Sequence, residues 1–269
     1  MEMGRGDHVS APLSRACVSL FAIVWVTEAA AQLGAPPPPP PANPRAAAPQ
    51  DLSGYWVSLV TEDWRYRMLT PDKGDYSGIS LNPAGRALAD KWDPAQDEAN
   101  GNQCKSYGAA AIMRVPTRLH IEWQGDNELR IETDAGKQTR VIHFNAKPLA
   151  AGEPSWQGFS AASWEGLRAP GIGGVATGLA GKAAAQGYMK VVTTRLKPGY
   201  LRKNGVPYGE NTQVEEYFDS FREPDGNTWL VVTTIVTDPE YLAQMFITSS
   251  HFKKLPGPTG WNPTPCEAR

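Results

Sequence analysis

Apolar and polar positions alternate most clearly in the last third of the chain. Val214 to Phe221 and Trp229 to Thr237 both carry a period of two, and between them lies Pro224-Asp225-Gly226-Asn227. Alternation on either side of a turn-forming tetrapeptide predicts a β-hairpin. Asp238-Pro239 then breaks the pattern, and a third run, Phe246 to Lys253, resumes it. The branched and aromatic residues of these runs pack well on a pleated surface, and strands so apolar need further strands beside them. Earlier runs supply them: Tyr55 to Val60, Thr117 to Trp123, Leu129 to Thr133, Thr139 to Phe144 and Tyr188 to Leu196. Setting Trp123 opposite Leu129 brings Ile121 to Ile131 on one face, and Glu122 to Arg130 and His120 to Glu132 on the other, a register in which opposite charges meet. Glu62 to Met68 reads as a continuation of the first strand, with Trp64, Tyr66 and Met68 on one side and Asp63, Arg65 and Arg67 on the other. Asn82 to Trp92 reads as one short helix, capped by Asn82 with Pro83 in its first turn. Lys197 to Gly209, rich in Gly and Pro, reads as a long connection. The pattern predicts an all-β, mainly antiparallel fold of about eight to ten strands, either a closed barrel or a single strongly curved sheet.

The ends of the chain depart from this pattern. Arg5 and Arg15 precede an apolar run from Ala16 to Val26, with Ala29-Ala30-Ala31 after it, which is the order of a secretory signal with cleavage near Ala31. Residues 32–50 are a Pro- and Ala-rich linker, and its six prolines from Pro36 to Pro41 favour polyproline II. The organisation expected is therefore a signal peptide over 1–31, a spacer over 32–50 and one barrel domain over 51–269, exported to the periplasm or secreted. No membrane insertion is expected once the signal is removed. The Gly- and Ala-rich stretch from Gly166 to Gly187 interrupts two strands as an insertion, read as a lid or as a disordered loop. With 26 basic and 28 acidic residues, a net charge of −2 and no basic block, the chain lacks the electrostatic footprint of a nucleic-acid or anionic-lipid binder.

Candidate chemistry is sparse. After the signal is removed, Cys104 and Cys266 are the only cysteines, and in an oxidising compartment such a pair is expected to form a disulfide. His120, His143 and His251 fall on separate strands without the spacing of metal ligands, so neither a metal nor another cofactor is expected. His251 shares a strand face with Ile247 and Ser249. If Ile247 points to the core, His251 points into the barrel, near Glu216, Tyr217 and Thr234. His120 beside Glu132 is either one ion pair on an outer face or a proton-transfer pair in a cavity. Nine tryptophans and nine tyrosines provide core and stacking walls. The candidate ligand contacts are Trp64, Arg65, Tyr66, Arg67, Tyr200, Arg202, Tyr208 and Tyr217. Among them Arg65 or Arg67 would hold an anionic group, and the Tyr200 to Tyr208 segment, with Arg202 and Lys203, a carboxylate or a polarised oxygen. Two functions fit these residues. One is binding of a small apolar or aromatic molecule in the barrel mouth. The other is a cofactor-independent lyase, isomerase or hydratase, with His251 or His120 as acid or base, Glu132 or Glu216 orienting it, and Tyr200 or Arg202 stabilising charge. An envelope structural protein would have no cavity at all.

Asp51-Leu52-Ser53-Gly54-Tyr55-Trp56, Ser163-Trp164-Glu165 before a Val-Val-Thr-Thr strand, Glu216-Tyr217-Phe218 and the run from Thr233 to Tyr241 extend over most of the chain after residue 50. In these elements the chain resembles an uncharacterised family of exported bacterial proteins. The resemblance implies a lipocalin-like or related β-barrel and brings no catalytic residues with it. The Gly/Ala insertion after Gly166 departs from the family pattern, in which Trp-Glu-Gly runs directly into the next strand.

Overall fold

The computed structural model describes residues 42–148, 152–166 and 187–269. The expected signal peptide, the proline run and nearly all of the Gly/Ala insertion lie outside the described residues. Nine strands close into a barrel: β1 (Gly54–Leu59), β2 (Arg118–Gln124), β3 (Glu128–Thr133), β4 (Gln138–Phe144), β5 (Phe159–Glu165), β6 (Tyr188–Thr194), β9 (Gln213–Arg222), β10 (Thr228–Thr237) and β11 (Phe246–Leu255). Around the wall they run β1-β11-β10-β9-β6-β5-β4-β3-β2. Neighbours are antiparallel except β4 and β5, which pair in parallel, so the link between them returns the chain to the opposite end.

The registers follow the alternation. Across β2 and β3, Trp123 faces Leu129, Ile121 faces Ile131, Glu122 faces Arg130 and His120 faces Glu132. The β9–β10 hairpin turns at Pro224–Asn227, where Gly226 has φ of 89°, a backbone state that a Cβ disfavours. Inward positions build one apolar core from Trp56, Ile121, Leu129, Ile142, Phe218 and Phe252 among others. A polar layer interrupts it: Arg140, Ser160, Thr193, Glu216, Thr234 and Ser250 are all buried.

One end of the barrel is capped by the excursion between β1 and β2 and by the segment between β6 and β9. Together they form a second apolar cluster that includes Tyr76, Ile79, Ala89, Leu201, Val206 and Tyr208. Two expectations are corrected here. Residues 62–68 do not extend β1: Asp63 adopts a left-handed backbone (φ 49°) and starts helix α1 (Trp64–Met68). Lys197 to Gly209 is not a plain connection, because it folds into a small antiparallel pair, β7 (Gly199–Arg202) and β8 (Val206–Tyr208). The expected helix is α2 (Pro83–Ala89), where Asn82 Oδ1 accepts from the Gly85 amide at 2.8 Å; a further short helix, α3 (Pro94–Ala99), follows. Asp238, buried at the end of β10, accepts from the amides of Gly209, Glu240 and Tyr241 and from the Thr212 hydroxyl. This gives Asp238-Pro239-Glu240-Tyr241, the end of the run from Thr233 to Tyr241, a structural role, tying β8 and the start of β9 to the β10–β11 loop. At the other end, Trp164 Nε1 donates to Pro44 O, and Gln50 Nε2 donates to Gly187 O and Phe218 O, so the last residues of the Pro/Ala-rich stretch are bonded to the barrel.

Within the cap, Tyr76 Oη donates to Asp90 Oδ1 at 2.8 Å. Burial, and then this bond, pushes the Tyr76 phenol up to about 12. The unfolded chain therefore releases this proton at lower pH than the folded one. The stabilisation is complete below the ordinary tyrosine pKa of about 10 and is lost as pH rises from there towards 12. Equilibrium unfolding followed across that window is expected to show stability falling less steeply in Tyr76→Phe than in the parent protein.

Candidate functional site

Where the cap meets the barrel rim lies a cleft of about 370 Å³. Its walls come from α1 and the residues after it, the 3-10 turns Gln103–Tyr107 and Ile112–Arg114, β7 with Lys203, and the C-terminal tail at Thr264, Pro265 and Glu267. Among the described residues four cations line it, Arg67, Arg114, Arg202 and Lys203, and one acidic residue, Glu267.

The three arginines are buried and fixed in different ways. Arg67 Nε donates to Arg114 O at 2.9 Å, and its Nη1 donates to Glu62 Oε1 at 2.5 Å. Arg114 Nη1 donates to Asp63 Oδ2 at 3.2 Å, and its guanidinium lies over the Phe246 ring. Glu62 and Asp63 therefore neutralise two of the cations from the turn before α1. Arg202 differs: it is 5% exposed, its Nη2 donates to Ser77 O at 2.9 Å, its guanidinium stacks 4.3 Å from the Tyr66 ring centre, and no carboxylate among the described residues pairs with it. Lys203 Nζ sits over the ring of Tyr107, 4.9 Å from its centre. Arg67 Nη2, Arg114 Nη2 and Arg202 Nε are buried without a hydrogen-bond partner among the described residues.

Burial pulls the Arg67 guanidinium down, with Glu62 opposing and the like charge of Arg114 adding to it. Burial and then Arg114 pull Arg202 down in the same way. A guanidinium stays protonated despite such pressure, and Glu62 and Asp63 at Arg67, like Asp63 and Asp75 at Arg202, offset part of it. Tyr66, Met68, Leu69, Tyr107, Val115 and Leu201 give the rest of the cleft an apolar and aromatic lining. Cations converging on an apolar concavity suit an anionic group attached to an apolar body.

Comparisons with family models, with curated proteins and with solved structures give no match for this chain. The site therefore has to be read from its own geometry.

Of the ligand contacts expected from sequence, Tyr66, Arg67 and Arg202 meet in the cleft. Arg65 does not join them: its side chain is largely exposed and pairs with Asp75 at 3.4 Å. Trp64 is exposed on the outer face of α1. Tyr200 and Tyr208 line a separate cleft of about 240 Å³ beside Trp92. There Tyr200 Oη donates to Asp97 Oδ2 at 2.8 Å, Lys105 Nζ pairs with Asp97 at 2.6 Å, and burial followed by that carboxylate raises the Tyr200 phenol. Tyr217 lies on the outer wall, donating to Glu215, which also pairs with Lys190.

The histidines take positions other than a catalytic reading needs. Ile247 is 55% exposed, while Phe246, Ser250 and Phe252 are buried, so β11 points His251 outward, the reverse of the expectation. Its Nδ1 lies 3.0 Å from Glu62 Oε2 and 2.8 Å from Thr61 Oγ1. His120 Nδ1 meets Glu132 at 3.0 Å as the register required, on the outer wall, with its ring stacked on Tyr55. His143 Nδ1 meets Glu128 at 2.9 Å, also outside. Glu216 does face inward, but its partner is Arg140. The His–carboxylate pair inside the barrel, on which the lyase, isomerase or hydratase reading depended, is not assembled. Among the described residues no three His, Cys, Asp or Glu side chains gather as metal ligands.

Three parts of the cleft escaped the sequence reading: Arg114, Tyr107 and the C-terminal tail. A signal existed for each. Arg114 is the lone charge in Ala109-Ala110-Ala111-Ile112-Met113-Arg114-Val115, and a cation inside such a run needs a buried purpose. The Cys104–Cys266 disulfide, present as expected, places Pro265 and Glu267 beside Ser106 and Tyr107.

Proposed function

We propose that this is an exported small-molecule-binding β-barrel protein whose ligand is a small organic anion, held in the cleft between α1, the Arg114 turn, β7 and the C-terminal tail. The observation that carries the reading is Arg202: a buried guanidinium in a cavity wall, beside two further guanidiniums, with carbonyls and a tyrosine face in contact, no carboxylate at ion-pair distance among the described residues, and Asp63 and Asp75 acting on it only from further off. A cation in that position costs several kcal/mol unless an anion meets it (about 3–5 kcal/mol when a buried charge lacks its partner). A carboxylate, sulfonate or phosphate on the ligand supplies the missing charge, and the apolar lining receives the remainder. The cleft replaces the apolar barrel mouth expected from sequence, because the barrel end nearest it is filled by the cap. Export is supported by the signal-like N-terminus together with the disulfide, which suits an oxidising compartment.

Benzoate titrated into the full mature chain and followed by amide chemical shifts is expected to saturate, with shifts centred on residues 66–69, 114–116 and 201–203. Arg202→Gln is expected to weaken binding at least about tenfold. Arg202→Lys, which keeps the charge, is expected to retain most of it. Equal affinity in the parent protein and in a folded Arg202→Gln variant would remove the basis of the proposal.

A further inference from the structure

Helix α1 is amphipathic in the wrong sense for a surface helix. Arg67 points into the protein, while Trp64 and Met68, one turn apart on the same face, are 63% and 57% exposed, and Leu69 beside them is 65% exposed. Single exposed hydrophobic residues need no explanation, but three contiguous ones at the lip of a cavity do. Met68 and Leu69 are themselves walls of the cleft, and Trp64 stands one helical turn from Met68, so apolar side chains lead from the cleft of the buried guanidiniums towards the exposed face of α1. Val115 and Leu201 continue this series inside. Charge is buried at one end of the series and apolar surface is exposed at the other, the reverse of what folding alone would select.

We infer that the ligand is a free single-chain amphiphile, with its anionic head on Arg67, Arg114 and Arg202 and its unbranched apolar chain lying out of the cleft across Leu69, Met68 and Trp64. This rests on the anion-binding reading above and deepens it by naming the ligand class. The same head chemistry could reach the protein on a bilayer lipid. The lip offers only three side chains, two on a five-residue helix and Leu69 just after it, room for one chain and little for a membrane surface.

The test compares butyrate, octanoate and dodecanoate, each below its micellar concentration, on the full mature chain. A fully buried methylene is worth about fourfold in affinity, so half-covered methylenes on an open lip should give about twofold each. From butyrate to dodecanoate the expected gain is about 100-fold or more, and it should shrink to about tenfold in Trp64→Ser/Met68→Ser/Leu69→Ser. Arg202→Gln should weaken all three ligands. If butyrate binds and depends on Arg202 but affinity does not rise with chain length, the amphiphile inference fails and the anion site stands. If affinity rises with chain length equally in Arg202→Gln, the chain is adsorbing elsewhere and the inference also fails. If no carboxylate binds, both readings fall. Binding to phosphatidylglycerol vesicles without any chain-length dependence for the free acids would replace the free amphiphile by a membrane surface and overturn the assignment.

Discussion

Glu216→Leu alone is expected to destabilise the barrel by about 3–5 kcal/mol, whereas Arg140→Met/Glu216→Leu together should leave stability near the parent value or raise it by about 1–4 kcal/mol. The pair is wholly interior: the side chains are 3% and 0% exposed and meet at 2.5 Å. Arg140 Nε donates to Ser160 Oγ at 2.9 Å and Nη2 to Thr193 Oγ1 at 2.6 Å, so the guanidinium is anchored across β5 and β6 to a carboxylate on β9. Removing Glu216 leaves that cation buried in a low-dielectric interior, and removing both charges deletes the desolvation cost with the attraction. The arrangement is only partly satisfied. Arg140 Nη1, Glu216 Oε1, Thr234 Oγ1 and Ser250 Oγ have no hydrogen-bond partner among the described residues, and β9 and β10 set Glu216 directly opposite Thr234. A polar layer in this state stabilises less than its contacts suggest, which favours the apolar double variant. Urea denaturation of the parent, the two single variants and the double variant completes the cycle. A single variant costing under about 1 kcal/mol would mean that solvent reaches the layer, and a double variant as unstable as the single ones would mean that the pair specifies the fold.

The barrel was legible because its signal is local. A period of two fixes which side chains share a face, and complementary charge then selects a register, as with Glu122 opposite Arg130 and His120 opposite Glu132. The same rule failed where its premise failed. Residues 62–68 alternate as a strand would, but Asp63 turns the chain into α1, and the positions that alternation assigned to the core, Trp64 and Met68, became the exposed ones. On β11 one assumption, that Ile247 points inward, reversed the whole strand, because a parity error moves every side chain to the other face. Phe246 and Phe252 carry the burial there, and two aromatics of the same parity outweigh one isoleucine.

The site was less legible because it is assembled from segments far apart in sequence. Arg67 and Arg114 lie 47 residues apart in the excursion between β1 and β2 and Arg202 lies between β6 and β9, and nothing in their spacing announces that the cap will gather them. Tyr66 and Arg67 were still accessible to reasoning, as an aromatic and a cation in what reads as a continuation of the first strand, and Arg202 as a cation beside phenols in a connection. Tyr200 and Tyr208 had the same local appearance but went to the other cleft: alternation would put Tyr200 and Arg202 on one face, and the register shift between them in the β7–β8 pair breaks that parity. Arg140 showed least of all: in Gln138-Thr139-Arg140-Val141-Ile142 it occupies the inward parity that an apolar residue would be expected to hold.

Reduction of the Cys104–Cys266 disulfide should lower stability and anion affinity together. The bridge spans a sequence separation of 162 residues, and chain-entropy reasoning for a loop of that length gives at most about 5 kcal/mol, with about 2–5 kcal/mol the usual range for a native bridge. For a domain of this size that corresponds to a fall in Tm of roughly 5–15 °C. The effect on binding arises from what the bridge holds. Beyond Trp261 the tail is attached to the barrel through the Thr264 amide, which donates to Asp134 O at 2.9 Å, a single bridge of Thr264 to Ala135, and the packing of Cys266 and the buried Ala268. Gln138 Nε2 adds a weak contact to Cys266 Sγ at 3.4 Å. Thr264, Pro265 and Glu267 form one wall of the cationic cleft, so a tail freed at residue 266 leaves Arg67 and Lys203 more exposed to water, where their attraction for an anion is screened. Cys104→Ser/Cys266→Ser should reproduce both effects without a reductant, and benzoate affinity is expected to fall severalfold in it. Unchanged Tm and unchanged affinity on reduction would show that the tail keeps its place without the bridge. Recovery of two free thiols by non-reducing peptide mapping of freshly prepared protein would show that the bridge does not form.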